Sequence, residues 1–455
     1  MDERHTNARE FPSAGNAVGW WALSVLTLAL LLSYADRQVL NLLVDPVRRD
    51  LDISDTQISL LQGAAFGVFY ALGGIPFGRA ADVWSRRAVI TFGILAWSAA
   101  TFCCGLASTF GQLFVARVFV GIGEASLVPA AMAIIAGYFP PERRGTAIGV
   151  FLVGAASGTG ISTFVSGHII SAIGAHGLVA LGHTIPAWRG TFFVVSLAGL
   201  PMALLTLTIR DPVRAAGGGA ARIASIKDSV RTFRACGRGL AYIYASIAML
   251  TISNFAVLSW SPALLMRNFA QTPSQVGNSL GVTVLIACVA GTLLVGIAAD
   301  LIVRNFGTGS RLYVGAALCV VGLTGAGLGS TRDLSATLWM VGLSAFGTTA
   351  GTTLCSTGLQ DIIPDSIRGL ATALVSLVAT VIGLTLGPTL VALVTEHVYQ
   401  SPHSVGAGIA TVVAPASIAA GLLMWRAGRN LSRTALAASS VGGQAGPRPG
   451  KIPAQ

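Results

Sequence analysis

Apolar residues dominate this chain in twelve long runs, each bounded by charged residues, proline or clusters of glycine. The runs occupy residues 17–43, 57–79, 88–107, 112–138, 145–173, 190–209, 239–266, 275–300, 311–329, 335–360, 368–395 and 404–426. A run of about 20 apolar residues can cross the hydrocarbon core of a bilayer as a helix. No run shows the ten-residue alternation that is typical of a membrane β-strand. The pattern therefore predicts an all-α membrane protein with twelve transmembrane helices in two six-helix bundles.

Polar stretches at both ends and in the middle divide the chain into two halves. We expect a cytoplasmic N-terminal tail at 1–16, a first bundle at 17–209, a cytoplasmic linker at 210–238, a second bundle at 239–426 and a disordered cytoplasmic C-terminal tail at 427–455. Lys and Arg concentrate on the side of the predicted membrane that holds these polar stretches, and basic loops remain in the cytoplasm. We therefore expect an integral protein of the bacterial inner membrane with both termini cytoplasmic.

Composition agrees with a membrane protein and removes several classes of function. Hydrophobic residues make up 53% of the 455 residues and charged residues only 10%, against about 25% in an ordinary soluble domain. The net charge of +11 is explained by the cytoplasmic loops and their contact with anionic lipid, so we expect membrane lipids as partners and no nucleic acid. The cysteines and histidines show no metal-ligand spacing, and no phosphate-binding loop is present. We expect no metal, no cofactor and no enzymatic activity.

The two halves also repeat one another in sequence. Three residues of the first half, Gly78, Asp82 and Arg86, recur in the second half as Gly296, Asp300 and Arg304, each 218 positions later (296 minus 78). Ser54 and Gln57, which form a capping-box pattern at a helix start, recur as Thr272 and Gln275 at the same displacement. Two bundles that are related by a parallel repeat, with a cavity between them near the bilayer midplane, are an architecture of secondary transporters.

These repeated residues resemble the major facilitator superfamily. The family signature between spans two and three is similar to Gly78-Arg79-Ala80-Ala81-Asp82-Val83-Trp84-Ser85-Arg86-Arg87 here. A second signature, in span four, is met by Arg117, Gly121 and Ala125. The resemblance covers residues 17–426. It implies a monomeric transporter that alternates between inward-open and outward-open states.

Within the superfamily, the chain is similar to the spinster-like lipid carriers. The segments that carry this similarity are Tyr34-Ala35-Asp36-Arg37-Gln38, Ser54-Asp55-Thr56-Gln57, Trp84-Ser85-Arg86-Arg87 and Gly121-Ile122-Gly123-Glu124-Ala125-Ser126. The Asp36-Arg37 pair and the Gly-Glu-Ala stretch around Glu124 also resemble the anion:cation symporters. The first resemblance implies transport of a lysophospholipid or sphingoid phosphate, and the second implies uptake of sugar acids or aromatic acids with protons. Both substrate classes are organic anions.

Four charged residues lie well inside the predicted spans: Asp36, Arg37, Arg117 and Glu124. A charge near the bilayer centre costs about 2.5 to 3.5 kcal/mol, so each needs a partner or a water-filled cavity. Asp36 and Arg37 are separated by about 100° around their helix and must face different neighbours. Arg117 and Glu124 lie two helical turns apart on one face, and each can meet a group from span one. We predict that Asp36 and Glu124 exchange protons while Arg37 and Arg117 bind the anionic substrate; a static ion-pair network is the alternative.

A conformational gate is predicted at the cytoplasmic ends of the spans. Its residues are Gly78, Asp82, Arg86, Arg87, Asp300 and Arg304. Asp82 would pair with the end of a neighbouring helix in one state and release it in the other, while Gly78 would permit close approach of two helices. A simple contribution of the arginines to membrane orientation is the alternative.

The second half carries no charged residue in the middle of a span, so its contacts with a substrate must be neutral. Asn254 and Trp260 are the predicted substrate-binding residues of this half, and helix packing is the alternative for both. For the whole chain, a transport-inactive receptor or scaffold is a further alternative. The four costly charges within the membrane argue against it.

Overall fold

The computed structural model describes residues 17–174, 177–180, 183–211, 237–307, 309–363 and 367–442. Twelve long helical segments of this part of the chain lie where the apolar runs predict them, and we number them span 1 to span 12. Spans 1 to 6 are Ala17–Leu42; Asp55–Gln62 with Ala64–Val83; Arg86–Leu106; Phe110–Glu124 with Leu127–Tyr138; Pro141–Ile173; and Ala187–Leu207. Spans 7 to 12 are Gly237–Phe269; Pro273–Val276 with Gly277–Gly281 and Val282–Phe306; Ser310–Gly322 with Leu323–Gly329; Leu334–Ile362; Arg368–Leu377 with Val378–Leu384, Thr385–Leu393 and Val394–Tyr399; and Val405–Gly442.

Short elements connect some of the spans. A helix at Val44–Leu51 follows span 1, and a turn of 3-10 helix at Pro402–Ser404 precedes span 12. Strands β1 (Leu178–Ala180) and β2 (His183–Ile185) form an antiparallel hairpin between spans 5 and 6. None of these connections interrupts the helical core.

Span 10 differs from the other spans in its composition. Within the described chain, eleven helices are long and apolar enough to cross a membrane, and span 10 is not among them. It has 29 residues and lies at the predicted position, but its many serine, threonine and glycine residues lower its mean hydropathy. Span 10 packs against spans 7, 8 and 9, which shield its polar side from lipid. The predicted all-α architecture is confirmed.

Span 12 continues beyond its predicted end. The apolar run ends near residue 426, but the helix continues to Gly442. The added segment is rich in alanine and leucine, which favour helix even where the mean hydropathy is too low for a membrane span. The disordered C-terminal tail that we expect from residue 427 is thus helical over its first part.

Two pairs of spans bring the halves into close contact at one end of the molecule. We call this the outer end, because its loops hold few Lys and Arg. A Cβ atom at Gly63 of span 2 would collide with the backbone of Leu384 in span 11. A Cβ at Gly160 of span 5 would lie 2.6 Å from the carbonyl oxygen of Gly281 in span 8. The absence of side chains at these crossings lets the helices of the two halves touch.

Charged groups add to this closure of the outer end. Arg267, at the end of span 7, binds the carboxylates of Asp45 and Asp55 in the first half. Glu396 of span 11 accepts hydrogen bonds from the backbone N–H groups of Asp55 and Thr56, which begin span 2, and from the Thr56 hydroxyl. A carboxylate at a helix N-terminus satisfies free donors and the helix dipole together. Spans 7 and 11 of the second half therefore hold the start of span 2.

The opposite end of the spans is packed more loosely. A Cβ atom at Gly78, Gly145 or Gly296 would meet nothing within 4 Å. The large apolar side chains of Ile75 and Val83, near the end of span 2, are also exposed. In the described part of the molecule, the two halves are therefore in close contact at the outer end, and these three glycines at the expected cytoplasmic end have open space beside them.

Candidate functional site

A cavity of about 250 Å³ lies between the two halves in the middle of the spans. Its first-half walls include Tyr34, Arg37, Gln38, Asn41, Gln62, Phe66 and Thr159. Its second-half walls include Asn254, Phe255, Leu258, Ser259, Cys288, Thr292, Thr349 and Leu384. Among these described lining residues, Arg37 alone carries a full charge. A ligand in the cavity would therefore meet one cation, several neutral polar groups and a few apolar side chains.

Arg37 is held by Glu124 of span 4 at the edge of this cavity. Arg37 Nη2 and Nε lie 2.7 Å and 2.9 Å from Glu124 Oε2. The Ser33 hydroxyl, one turn earlier on span 1, donates to the same oxygen at 2.5 Å and accepts from Arg37 Nη2 at 3.2 Å. Glu124 Oε1 is buried and has no hydrogen-bond partner among the described residues. All donors to this carboxylate thus converge on one oxygen and leave the other one free.

Three aromatic rings surround the Arg37 guanidinium. Its central carbon lies 4.5 Å from the ring centre of Phe66, 5.0 Å from that of Tyr70 and 5.2 Å from that of Tyr34. A cation is attracted to the face of an aromatic ring, and more strongly where water is excluded. The rings therefore keep Arg37 at the cavity wall independently of Glu124. The side chain of Arg37 remains 23% exposed, whereas that of Glu124 is fully buried.

Asp36 and Arg117 lie on the other side of span 1, away from the cavity. The Thr101 hydroxyl of span 3 donates to Asp36 Oδ1 at 2.9 Å. Arg117 Nη1 donates to the backbone oxygen of Asp36 at 3.2 Å, and Arg117 Nε donates to the backbone oxygen of Leu61 at 3.4 Å. Arg117 thus connects span 4 to the backbones of spans 1 and 2. Its side chain is buried behind the cavity wall in this conformation rather than available to a substrate.

The arrangement around span 1 follows the expected helical geometry. Asp36 and Arg37 face different neighbours, span 3 and span 4 respectively. Arg117 and Glu124 each meet a separate group of span 1, as their spacing of two turns predicts. The four charges form two local sets of contacts, with Arg37 at the cavity and Asp36 behind it.

The two predicted residues of the second half have different surroundings. Asn254 lines the cavity, and its Oδ1 accepts a hydrogen bond from the Thr348 hydroxyl at 3.0 Å. Trp260 is fully buried, and its Nε1 donates to the backbone oxygen of Pro388 in span 11 at 2.9 Å. Trp260 therefore joins spans 7 and 11 and does not face the cavity. Its aromatic character pointed to a ligand, but its single polar atom is used in helix packing.

The predicted gate residues of the first half bind within their own bundle. Arg86 Nη1 donates to the backbone oxygen of Ala133 at 3.1 Å, and Arg87 Nη1 to that of Leu207 at 3.2 Å. Both arginines thus neutralise the carbonyl ends of neighbouring spans. Asp82 is exposed, and Gly78 has open space beside it.

The second-half copy of the gate is described only in part. Arg304 is exposed at the end of span 8, and Gly296 has open space beside it. The side chain of Asp300 lies outside the described residues. The described gate residues lie at the expected cytoplasmic end of the spans, with open space beside both glycines.

Several polar groups of the site do not stand out in the sequence. Ser33 and Thr101 are hydroxyl residues within apolar runs that contain other serines and threonines, and Gln62 lies near the predicted start of span 2. Ser33 is four residues before Arg37, which places both on one face of the helix, and this spacing is the signal that could have identified it. Thr101 and Gln62 belong to other spans, so only tertiary packing reveals them.

The comparison with known families identifies the fold. The family model of the Major Facilitator Superfamily matches residues 26–388. The chain belongs to the Major Facilitator Superfamily. Membership in this superfamily indicates a membrane transporter rather than an enzyme.

Curated relatives of this superfamily member are described as proteins of different kinds. It is 29% identical over 286 residues to an MFS-type efflux pump of Mycolicibacterium smegmatis, which covers 62% of each chain. It is 24% identical over 413 residues to protein spinster of Drosophila melanogaster, covering 87% of this chain and 66% of that one. It is 24% identical over 316 residues to a probable galactarate/D-glucarate transporter of Bacillus subtilis, covering 64% and 66%. The matches span about two thirds of the length of these relatives.

A solved structure with the same fold is a bacterial homolog of the human lysosomal transporter Spinster in an inward-facing, unoccupied conformation. The TM-score is 0.74 with 23% sequence identity, over 91% of this chain and 96% of that one. At this identity the likeness concerns the fold. It agrees with the superfamily architecture of two helical bundles around a central cavity.

Proposed function

We propose that this superfamily member is a proton-coupled secondary transporter of an organic anion, with Arg37 as the anion site and Glu124 and Asp36 as proton sites. The observation that carries the proposal is the pairing of Arg37 with Glu124 at the wall of the central cavity. Arg37 Nη2 lies 2.7 Å from Glu124 Oε2, and Arg37 is the charged residue of the described cavity lining. In this proposal, the substrate anion and the Glu124 carboxylate thus compete for the same guanidinium, that of Arg37.

This sharing supplies a coupling mechanism. While Glu124 is ionised, it neutralises Arg37, and an anion in the cavity must compete with it. When Glu124 accepts a proton, the ion pair loses its charge attraction, and Arg37 can bind the anion instead. Oε1 of Glu124 has no partner among the described residues, so it offers a position for that proton. Proton and anion then occupy the site together, and their charges cancel within the membrane.

Asp36 and Arg117 extend this mechanism beyond the cavity. Asp36 directly precedes Arg37 in span 1, so a rotation of that helix moves both side chains at once. Arg117 holds the backbone of Asp36 through its carbonyl oxygen, which ties any such rotation to span 4, where Glu124 also lies. In the proposed cycle, Asp36 exchanges a proton behind the cavity, and Arg117 positions span 1 rather than contacting the anion in this conformation.

Alternating access would use the two ends of the spans in turn. Arg267 and Glu396 join the halves at the outer end, while the glycines Gly78 and Gly296 at the expected cytoplasmic end have open space beside them. In the outward-open state, the proposed gate around Gly78 and Asp82 would close and the outer contacts would separate. The described conformation would then be the state that exchanges substrate with the cytoplasm.

The proposed substrate is an amphipathic organic anion such as a lysophospholipid or a sphingoid phosphate. The similarity to protein spinster over most of this chain supports it. Apolar residues that flank Arg37 in the cavity, namely Phe66, Phe255, Leu258 and Leu384, could contact an acyl chain. A small organic anion, such as a sugar acid or an aromatic acid, is the second candidate. The modest cavity volume, its polar side chains and the similarity to a galactarate/D-glucarate transporter favour that candidate.

The test is proton movement in liposomes that contain the purified protein and an internal pH dye. Lysophospholipid, sugar acids and aromatic acids are added in parallel, and wild type is compared with Asp36→Asn and Glu124→Gln. A substrate-dependent pH change that both substitutions abolish is the expected result. A response to lysophospholipid selects the first substrate class, and a response to small acids alone selects the second. An unchanged signal in both variants would leave the four charges as a structural ion-pair network.

A further inference from the structure

Three amide side chains form a hydrogen-bonded chain at the outer end of the cavity. Gln62 Nε2 donates to Asn41 Oδ1 at 3.0 Å, and Asn41 Nδ2 donates to Gln38 Oε1 at 2.9 Å. The three residues are only 5%, 7% and 9% exposed, yet each of them lines the cavity. We call them the amide chain. It joins span 2 to span 1 about one helical turn beyond Arg37.

The amide chain ends on an unsatisfied atom. Gln62 Oε1 is buried and has no hydrogen-bond donor among the described residues. Helix packing accounts for the two bonds between these amides, but it leaves this oxygen unpaired, and an unpaired buried acceptor is costly. Gln62 is 5% exposed and lines the cavity, so the cavity is the place from which a donor would approach it. The missing partner is therefore a group that a ligand would carry.

The opposite wall of the cavity offers acceptors of the same kind. The hydroxyl of Thr292 donates to the backbone oxygen of Cys288, and that of Thr349 points to Cys288 Sγ. Their hydroxyl protons are thus occupied, while their oxygens retain the capacity to accept. Apart from Arg37, the described polar lining is neutral, and the oxygens of these two threonines can accept a hydrogen bond from a ligand.

We propose that the amide chain is a subsite for a hydroxyl group of the substrate. The hydroxyl donates to Gln62 Oε1 while the anionic group of the same molecule binds Arg37, so the inference rests on the proposed function. Asn41 follows Arg37 by four residues, or about 6 Å along the helix axis. The transporter therefore selects organic anions whose hydroxyl can reach Gln62 while the anionic group binds Arg37. A polyhydroxy acid and a lysolipid with a free glycerol hydroxyl share this chemistry.

Two matched pairs of probes test the subsite on the purified full-length protein in nanodiscs. One pair is 3-hydroxyadipate and adipate. The other is lysophosphatidic acid and its analogue with the same acyl chain on 1,3-propanediol phosphate, which lacks only the free hydroxyl. Calorimetric titration gives the affinity ratio within each pair. Because one hydrogen bond distinguishes the members, we expect wild type to bind the hydroxylated member of one pair about tenfold more tightly. A preference within the first pair identifies a soluble acid as the source of the hydroxyl, and a preference within the second pair identifies a lysolipid.

Substitution of the amide chain separates selectivity from folding. Gln62→Met keeps the size of the side chain and removes its carbonyl, so the affinity ratio should fall to about one, which is the loss of one hydrogen bond. Asn41→Leu should do the same by an independent change, since it releases the Gln62 amide from its partner. Gln112→Met removes an amide at the start of span 4, away from the central cavity, and should leave the ratio as in wild type.

The possible results lead to different conclusions. Equal binding of both members of each pair by wild type, or a preference that persists in Gln62→Met and Asn41→Leu, overturns the subsite and leaves Arg37 as the anion site. Failure of all four probes to bind wild type overturns the proposed anion transport, and the subsite with it. A general weakening that affects both members of a pair equally points to a structural role of the amides and also overturns the subsite.

Discussion

Arg267 of span 7 forms a two-point ion pair with Asp55 of span 2, and the pair joins the two halves of the molecule. Nη1 lies 2.8 Å from Asp55 Oδ2, and Nη2 lies 2.9 Å from Asp55 Oδ1. The two side chains are only 5% and 3% exposed. Parallel hydrogen bonds of this kind are among the strong polar contacts in proteins. The outer end of the transporter is therefore held by a contact that opening of this end would have to break.

Removal of this pair should favour opening of the outer end. In Arg267→Met, Asp45 and Asp55 lose their shared cation, so the closed outer end loses stability relative to the open one. We expect Ser259→Cys, a cavity position, to react about tenfold faster with an impermeant maleimide from outside, in a background without native cysteines.

The matched control for this change is Arg189→Met. Arg189 is also an outer arginine with a carboxylate partner, Asp50, but both belong to the first half. Its removal should leave the rate of maleimide labelling unchanged. Equal acceleration in both variants would show that general loosening, rather than the contact between the halves, governs access to the cavity.

Loss of the Glu124 carboxylate should uncouple anion movement from proton movement. In Glu124→Gln, Arg37 retains Ser33 and the aromatic rings but loses the charge that competes with an anion. We expect anion-for-anion exchange across the liposome membrane to continue, while anion-driven proton movement falls by about tenfold or more. Glu142→Gln, an exposed carboxylate at the start of span 5, should leave both rates unchanged. A parallel loss of exchange and proton movement would contradict the proposed role of Glu124.

Gly63 and Gly78 should respond differently to a single added methyl group. Gly63→Ala places a Cβ against the backbone of Leu384 at the crossing of spans 2 and 11, and such overpacking costs about 1 to 3 kcal/mol. Gly78→Ala meets open space in this conformation and should change the free energy of unfolding by less than about 0.5 kcal/mol. Thermal unfolding of the purified variants measures both. A transport defect in a fully stable Gly78→Ala protein would indicate that Gly78 packs closely in another state.

Trp260 should matter for stability and not for substrate affinity. Trp260→Phe keeps the aromatic packing and removes the donor to the Pro388 carbonyl, which should cost about 1 kcal/mol of unfolding free energy. Asn254→Leu changes a cavity-lining residue and is the contrasting variant. We expect it to weaken substrate binding. A weaker affinity in Trp260→Phe, with unchanged stability, would place Trp260 in the substrate site after all.

Much of the fold can be predicted from the sequence because a membrane span must have a minimum length and a high hydropathy, and both are visible along the chain. Length and hydropathy locate all twelve long segments, including span 10, whose polar composition reflects burial among other helices. The charged cluster could be found for the same reason: a charge in lipid is costly, so Asp36, Arg37, Arg117 and Glu124 are conspicuous. The end of span 12 could not be predicted in this way, because its last part is a helix whose hydropathy is too low for a membrane span.

The contacts around the cavity depend on how different spans pack against one another, which the pattern within a single span does not reveal. Helix periodicity explains why Asp36 and Arg37 diverge, but it does not say which of them reaches the cavity. That outcome depends on the position of Phe66 and Tyr70 from span 2 beside Arg37. Trp260 illustrates a related ambiguity, because the sequence alone does not distinguish a tryptophan of a ligand site from one in a buried helix contact. In the structure, the hydrogen bond from Trp260 to the backbone oxygen of Pro388 identifies it as a helix contact in this conformation.

The cap on span 2 has a consequence for how the chain is made. Glu396 binds the amides of Asp55 and Thr56, although about 340 residues of chain separate them. During synthesis the first half enters the bilayer long before span 11 leaves the ribosome, so these two amides must remain hydrated in the meantime. The first bundle thus matures only when the second one docks against it. A chain truncated after span 6 would lack Glu396, and the amides of Asp55 and Thr56 at the start of span 2 would lack this acceptor.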